Sequence, residues 1–428
     1  MKKLTLIALS AVAFAGCSSN NTIGDDEIVI DMLPKTRAVE LTQEQREYVT
    51  KNTDFSFNLF KTVSKMSEGR KSSILSPISV TYVLGMLNDG AAGNTAKEIT
   101  TVMGFGEDNA NAVNEFCKKL IEDAPQTDPS VTLEIANAVI SNKSRNVMLE
   151  PAYQNDMKNY YSAEVSSIDF SKKGDALKSI NGWCNNKTQG MIPEILKESE
   201  LRADALLLFM NAIYFKATWT EKFDKKDTES KSFTMENGQE KILPMMHRKA
   251  KAQYGENEVC QMLNLPYGSG DKWSMKVLLP QEGKTVDDVI NSLSSEWFKE
   301  LRSNTWHPVV DIDIPRFNTS FETDLVKPLT EMGAPSMFTP FVAEFPNVSS
   351  NFKKDLYVGL MKQKAAIEVN EEGTKASTVT VASMMEAAAG PDPYHPMNVD
   401  FHANRPFVYL IQEASTGVVF FLGTYRGE

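Results

Sequence analysis

Apolar positions along the chain follow two periods. Phe55, Leu59, Val63 and Met66 recur at helical spacing behind Thr53-Asp54, so the pattern predicts a helix capped by that pair. A second helix starts at Ser76-Pro77, where proline suits a first turn, runs through Val80, Leu84 and Leu87, and is ended by Gly90 and Gly93. Residues 133–140 and 206–215 are nearly unbroken apolar runs, the pattern of strands buried on both faces, although a buried helix reads alike. Residues 309–315 alternate strictly, which predicts a strand with one wet face. Residues 275–279 and 407–422 add strand-like runs, the latter broken by a hairpin turn at Ser415-Thr416-Gly417. From Thr42 onward the two periods interleave without repeat or linker, so a single large α+β domain is expected.

Residues 371–383 are written like a strand, rich in β-branched and small side chains, yet they run straight into 384–391, where Gly390 and Pro391 break any regular element. Continued as a strand, they would put Thr374, Ala376, Thr378, Thr380 and Ala382 on one face and Lys375, Ser377, Val379, Val381 and Ser383 on the other. The first set is small or β-branched and uncharged, so it can enter a core; a charge there would carry a desolvation penalty of several kcal/mol. A segment able to be loop or strand is a candidate switch.

The 428 residues are 42% hydrophobic, ample for a buried core, and the formal charge of -11, with no basic stripe, argues against a nucleic-acid partner. The first sixteen residues read as an export signal, with Lys2 and Lys3 ahead of an apolar run too short to span a bilayer. Phe14-Ala15-Gly16-Cys17 resembles a bacterial lipobox, which implies lipid at Cys17 and a membrane attachment through it. Residues 17–41 then form a polar tether, and 42–428 the folded domain. The expected location is the cell envelope, as an outer-membrane lipoprotein facing periplasm or surface. Cys117, Cys184 and Cys260 are an odd, widely spaced set without disulfide or metal spacing, and read as buried free thiols.

Catalytic chemistry leaves no constellation. The four histidines, His247, His307, His395 and His402, have no paired zinc-protease spacing, and no phosphate-cradling loop or dinucleotide fingerprint is present. Gly268-Ser269-Gly270 lacks the spacing of a nucleophile elbow, while counting acids alone leaves a carboxylate pair open. The expectation is a protein that is not an enzyme and uses neither cofactor nor metal.

Four sets of residues carry a family resemblance that covers the chain from about Leu41 to its end. They are Phe401-His402-Ala403-Asn404-Arg405-Pro406-Phe407-Val408; Ser76-Pro77-Ile78-Ser79-Val80 with Gly90-Ala91-Ala92-Gly93-Asn94-Thr95; Asn211-Ala212-Ile213-Tyr214-Phe215 through Trp219, Phe223 and Thr228; and Asn181-Gly182-Trp183 with Thr188-Gln189-Gly190. Together they resemble the serpins. The resemblance implies three β-sheets with eight or nine helices, a metastable native state and an exposed reactive loop at about 371–398. It also implies inhibition of proteases by suicide-substrate trapping: the loop is cleaved, stays esterified to the protease, and inserts into the large sheet.

On that pattern Glu371, Glu372, Gly373, Thr374, Lys375 and Ala376 are the hinge, and Ser76, Ser79, Asn211, Trp219 and Gln363 the shutter and breach of the sheet. Ser72 and Gln363 stand where many members have Asn and His, and Lys375 replaces a commoner acidic residue. The scissile bond falls at Ala387-Ala388, with Met384, Met385 and Glu386 as alternatives because residues 390–396 lengthen the loop. Small residues there suit elastase-like or subtilisin-like serine proteases, with cysteine proteases a second class, met by a monomer. The other reading is a non-inhibitory serpin that acts as a binding protein. About twelve newly paired residues, at about 1 kcal/mol per hydrogen bond plus side-chain burial, give on the order of 10–20 kcal/mol, more than the roughly 5–15 kcal/mol that holds a protease together.

Overall fold

The computed structural model describes residues 35–67, 71–106, 109–270, 272–353, 355–374 and 397–428. Among them are nine α-helices: α1 (Gln43–Met66), α2 (Pro77–Gly90), α3 (Gly93–Met103), α4 (Ala110–Asp123), α5 (Pro151–Tyr161), α6 (Lys173–Lys187), α7 (Val286–Ser292), α8 (Ser295–Ser303) and α9 (Val326–Glu331). The six-stranded central sheet runs β12 (Phe317–Asp324), β13 (Lys362–Asn370), β14 (Gly373–Thr374), β4 (Leu207–Thr218), β2 (Val131–Asn142) and β3 (Glu164–Ile168). A seven-stranded sheet runs β1 (Ser73–Leu75), β17 (Val419–Tyr425), β16 (Phe407–Glu413), β9 (Trp273–Pro280), β8 (Cys260–Tyr267), β7 (Tyr254–Glu256) and β10 (Thr305–Trp306). A four-stranded sheet runs β15 (Asn398–His402), β11 (Val309–Pro315), β6 (Glu240–Lys251) and β5 (Glu229–Thr234). The α+β fold with three sheets agrees with the expected class.

The seven-stranded sheet supplies the floor of the core. Every residue of β9, β16 and β17 is buried, which is why these strands read as continuous apolar runs. The turn between β16 and β17 falls at Ser415-Thr416-Gly417, capped by the buried Glu413, which accepts hydrogen bonds from Ser415 N and Thr416 N at 2.9 and 2.8 Å. Helix α2 packs on both β4 and β17 and so lies between the central and seven-stranded sheets. A second apolar cluster beneath α6 joins Phe170, Ile180 and Cys184 to Ile140 and Met210 of the central sheet. All three described cysteines are free and buried.

Four local expectations change. Helix α1 begins eleven residues before Thr53-Asp54, at a capping box in which Thr42 and Gln45 exchange hydrogen bonds of 3.1 Å. Thr53 lies mid-helix with its hydroxyl donating to Val49 O at 2.8 Å, while Asp54 receives Ser295 N at 2.7 Å at the start of α8. Gly93 opens α3 and does not end α2, which stops at Gly90. The tether ends before Leu41: Arg37 N donates to Thr127 O at 2.9 Å, and Val39, 1% exposed, donates to Ser415 Oγ. On β11 the supposedly wet face holds Asp313 at 6% exposure, because Lys231 of β5 reaches both its oxygens at 2.8 and 2.9 Å.

The buried polar side chains include one with a large energetic consequence. Lys276 of β9 is 6% exposed, and its ammonium donates to Ser274 Oγ at 2.8 Å. Burial, with the nearby Arg302 charge adding to it, pushes Lys276 down to about 7. Between that value and its ordinary 10.5 the unfolded chain binds a proton that the folded chain does not, so stability rises with pH across this window. Lys276→Met is therefore expected to stabilise the fold by roughly 3–5 kcal/mol at pH 7, with the advantage shrinking toward pH 10. Thermal unfolding midpoints of both proteins at the two pH values check it.

Candidate functional site

The central sheet is incomplete in its middle. Among the described residues, strands β4 and β13 face each other without pairing, and the two residues of β14 bridge them, Thr374 lying opposite Ala217 on one side and Val369 on the other. Below this wedge lies a cavity of about 480 Å³ lined by Val80 of α2, Ile180 of α6, Met210 and Ile213 of β4, and Ala365 and Ile367 of β13. The missing neighbour explains why β4 departs from its predicted burial on both faces: Leu207, Leu208, Phe209, Asn211 and Ile213 are only half-buried. Two facing strand edges offer unpaired N–H and C=O groups, and an apolar lining offers side-chain burial, so the slot is built to receive an extended chain.

Gly373 makes the wedge possible. Its φ is +141°, and a Cβ there would lie 2.2 Å from Ala217 O and 2.6 Å from Thr218 Cα, so no larger residue fits without moving backbone. Thr374, 2% exposed, points inward, its hydroxyl 2.7 Å from that of the buried Tyr267. The turn before them is clamped by charge. Glu371, 2% exposed, pairs with Arg316 and accepts the Thr228 hydroxyl at 2.8 Å; Glu372 pairs with Lys222 at 2.8 Å and Lys225 at 3.5 Å. Burial opposes ionisation of Glu371, but Arg316 and Thr228 outweigh it and hold its carboxyl below the usual range. Lys222, ahead of a smaller opposing desolvation, does the same for Glu372. Above the wedge Trp219 is buried, stacked on Tyr267 with centroids 4.4 Å apart; its indole donates to Asn370 O at 2.9 Å and its backbone N–H to Glu372 O at 2.9 Å.

The other four predicted residues lie lower, where α2 begins. They form two groups, one on each side of the slot. Gln363 of β13 accepts from Ser76 N at 2.9 Å and donates to Ser76 O at 2.8 Å. On the far side Ser79 donates to Asn211 of β4, which donates to Asn137 of β2 at 2.8 Å. One turn of α2 thus spans the gap, and the Ser76 hydroxyl, buried on the cavity wall, has no partner among the described residues. Sequence reading missed Arg316, Lys222, Asn137 and Tyr267. Arg316 and Lys222 are ordinary surface-type residues whose partners lie 55 and 150 positions away. Lys375, Ala376, Met384, Met385, Glu386, Ala387, Ala388 and Cys17 lie outside the described residues.

A three-sheet α+β fold whose central sheet is wedged open at Gly373 and Thr374 defines the structural class. The sequence profile described as Serpin (serine protease inhibitor) matches residues 50–426, and the chain belongs to the serpin family. It is 30% identical over 428 residues to an uncharacterised serpin-like protein of Methanosarcina acetivorans, covering 99% of this chain and 96% of that one. It is also 30% identical to the leukocyte elastase inhibitor of Equus caballus, over 88% of this chain and 98% of the relative. The native-state structure of the thermophilic serpin tengpin superposes with a TM-score of 0.78 at 25% identity, covering 91% of this chain and 95% of that one.

Gly373→Val is expected to expel the wedge while leaving the rest of the fold intact. Hydrogen exchange checks it: the amide of Thr374 should lose most of its protection, whereas those of β9 and β16 should not change.

Proposed function

We propose that this chain inhibits secreted serine proteases by suicide-substrate trapping. The observation that carries the reading is the seating of Gly373 and Thr374 between two unpaired strand edges above an apolar slot. Continued in the register of β14, residue 376 would fall opposite Phe215 and Ile367, residue 380 opposite Asn211 and Gln363, and residue 384 opposite Leu207 and Gly359. Ten further residues fill the slot to its lower end. The run of small, uncharged alternate residues from Thr374 to Ala382 covers eight of those ten positions, and residues 375–381 would pair with both β4 and β13.

In the proposed reaction the protease serine Oγ adds to the carbonyl carbon of Ala387. The bond to Ala388 N breaks, the new amine takes a proton, and Ala387 remains as an ester. Water would ordinarily hydrolyse that ester, but insertion of the freed strand carries the protease along the sheet and distorts its site before it can. Glu371, Glu372 and Gly373 act as the hinge, Trp219 as the breach, and the Ser76–Gln363 and Ser79–Asn211 groups as the shutter. The small residues at 387 and 388, together with the similarity to an elastase inhibitor, favour elastase-like or subtilisin-like enzymes. We further propose that residues 1–16 are a lipoprotein signal and that lipid at Cys17 holds the protein on an outer membrane.

Incubation with pancreatic elastase and with subtilisin should give a complex that survives SDS, and Thr374→Arg should convert the inhibitor into a substrate, raising the stoichiometry of inhibition at least several-fold, since a guanidinium cannot enter the sheet cheaply. Cleavage without a complex across a broad protease panel would sink the trap and leave the binding-protein reading. Separately, membrane fractions should retain the wild-type protein and lose Cys17→Ala.

A further inference from the structure

The seven-stranded sheet carries a polar cluster to which trapping gives no role. Alternate residues of a strand share a face, so Ser274 and Lys276 of β9 point the same way. The register puts Asn264 of β8 directly opposite Lys276 and Gln412 of β16 directly opposite Ser274, which brings all four side chains onto one face. Arg302, near the end of α8, reaches the same place: its Nη1 and the Gln412 Nε2 lie 4.0 and 3.8 Å from the point that a Cβ on Gly417 would occupy. Arg302 is itself exposed, so the cluster runs from the sheet out to solvent.

This cluster is out of balance. Lys276 is buried with one partner, the Ser274 hydroxyl at 2.8 Å, and the Gln412 amide donates to Gly417 O at 2.6 Å. The side-chain carbonyl oxygens of Asn264 and Gln412 are buried with no partner among the described residues. The charge that acts on Lys276 is a second cation, Arg302, and no carboxylate pairs with either among the described residues. A buried cation and two orphaned acceptors are each unfavourable, and a group bringing a negative charge together with an N–H donor would relieve them at once. An amine desolvated beside another cation is activated as a nucleophile, and burial holds this one near 7, so much of it is unprotonated at neutral pH. At 6% exposure it can be reached by a small, uncharged electrophile, and dissolved carbon dioxide is one.

We propose that Lys276 is a carbon dioxide site: its amine is reversibly converted to a carbamate, which lies between Arg302 and the Ser274 hydroxyl and stabilises the seven-stranded sheet. The nitrogen lone pair adds to the carbon of CO2, one C=O pair moves onto its oxygen, and the nitrogen gives one proton to water. The product keeps one N–H, which the free oxygen of Asn264 or Gln412 can accept. Its two oxygens can accept from the Arg302 guanidinium and from Ser274, a charge-assisted arrangement that the unmodified amine cannot make. This inference stands on β9 and its neighbours and is independent of the trapping reading.

Carbon NMR of the whole protein in isotope-labelled bicarbonate at neutral pH tests this. The wild type should show a carbamate resonance that Lys276→Met loses altogether and that Arg302→Met weakens about fivefold, as loss of one ion pair would produce. The thermal midpoint of the wild type should also rise with dissolved CO2 at fixed pH and ionic strength, because the adduct forms on the folded chain, whose amine is the less protonated. Lys276→Met removes a buried charge and so still folds, and its midpoint should not respond. A wild type without the resonance would overturn the site, and so would a resonance that survives in Lys276→Met, since it would belong to another amine. A midpoint rise that acetate reproduces without any resonance would mark a bound free anion and overturn the adduct.

Discussion

Two strands of one sheet that face each other without pairing set the terms for this molecule. A β-edge is normally covered or blunted, because its free N–H and C=O groups template pairing with whatever extended chain arrives. Here β4 and β13 keep such edges toward each other over most of their length, and one wedge of two residues holds them at strand spacing. The half-buried face of β4, the apolar cavity and the Ser76 hydroxyl, which has no partner among the described residues, all follow from that one gap. Each is a local cost that a further strand would remove.

The wedge is held by groups of different kinds. Gly373 is a steric requirement, since a Cβ would collide with the backbone of β4. Thr374 contributes burial and a hydroxyl contact with Tyr267. Glu371 and Glu372 are ionic, and they differ: Glu371 is buried against Arg316, whereas the Lys222 and Lys225 pairs of Glu372 are part-exposed and of the sort that contributes about 0–1 kcal/mol each. Loss of Arg316 would be the more damaging change, because it strands a buried carboxylate.

Much of this was legible from residue order alone, and the exceptions share a cause. Gly373 and the inward Thr374 are local patterns, so they could be read directly, as could the fully buried strands of the seven-stranded sheet. The start of α1 was missed because its first turns present few apolar residues, only Tyr48 and Val49, and the capping box at Thr42 precedes them. The burial of Asp313 depends on Lys231, 82 residues away, and that of Glu371 on Arg316, 55 away; nothing in either neighbourhood announces the partner. The gap itself was invisible for a deeper reason. A strand pattern says that a segment wants neighbours, and it cannot say that one place will be left vacant.

On the trapping reading, connectivity keeps the place between β4 and β13 open. Thr374 is seated in the central sheet, while the chain re-emerges at Met397 and is bound at once into the four-stranded sheet, where β15 pairs with β11 from Asn398 to His402. Both ends of the intervening segment are therefore fixed, in different sheets. On the trapping reading, an intact chain that ran the length of the slot would still have to return from its lower end to the pairing of β15 with β11. At about 1 kcal/mol per hydrogen bond the slot has more to offer than the wedge already takes, and on the trapping reading the chain collects it once it is no longer joined at both ends. Cutting any bond between the two anchors removes the restraint without touching the sheet. On the trapping reading this makes one peptide bond the gate on the energy of the whole sheet, and the protease that breaks it the agent of its own capture.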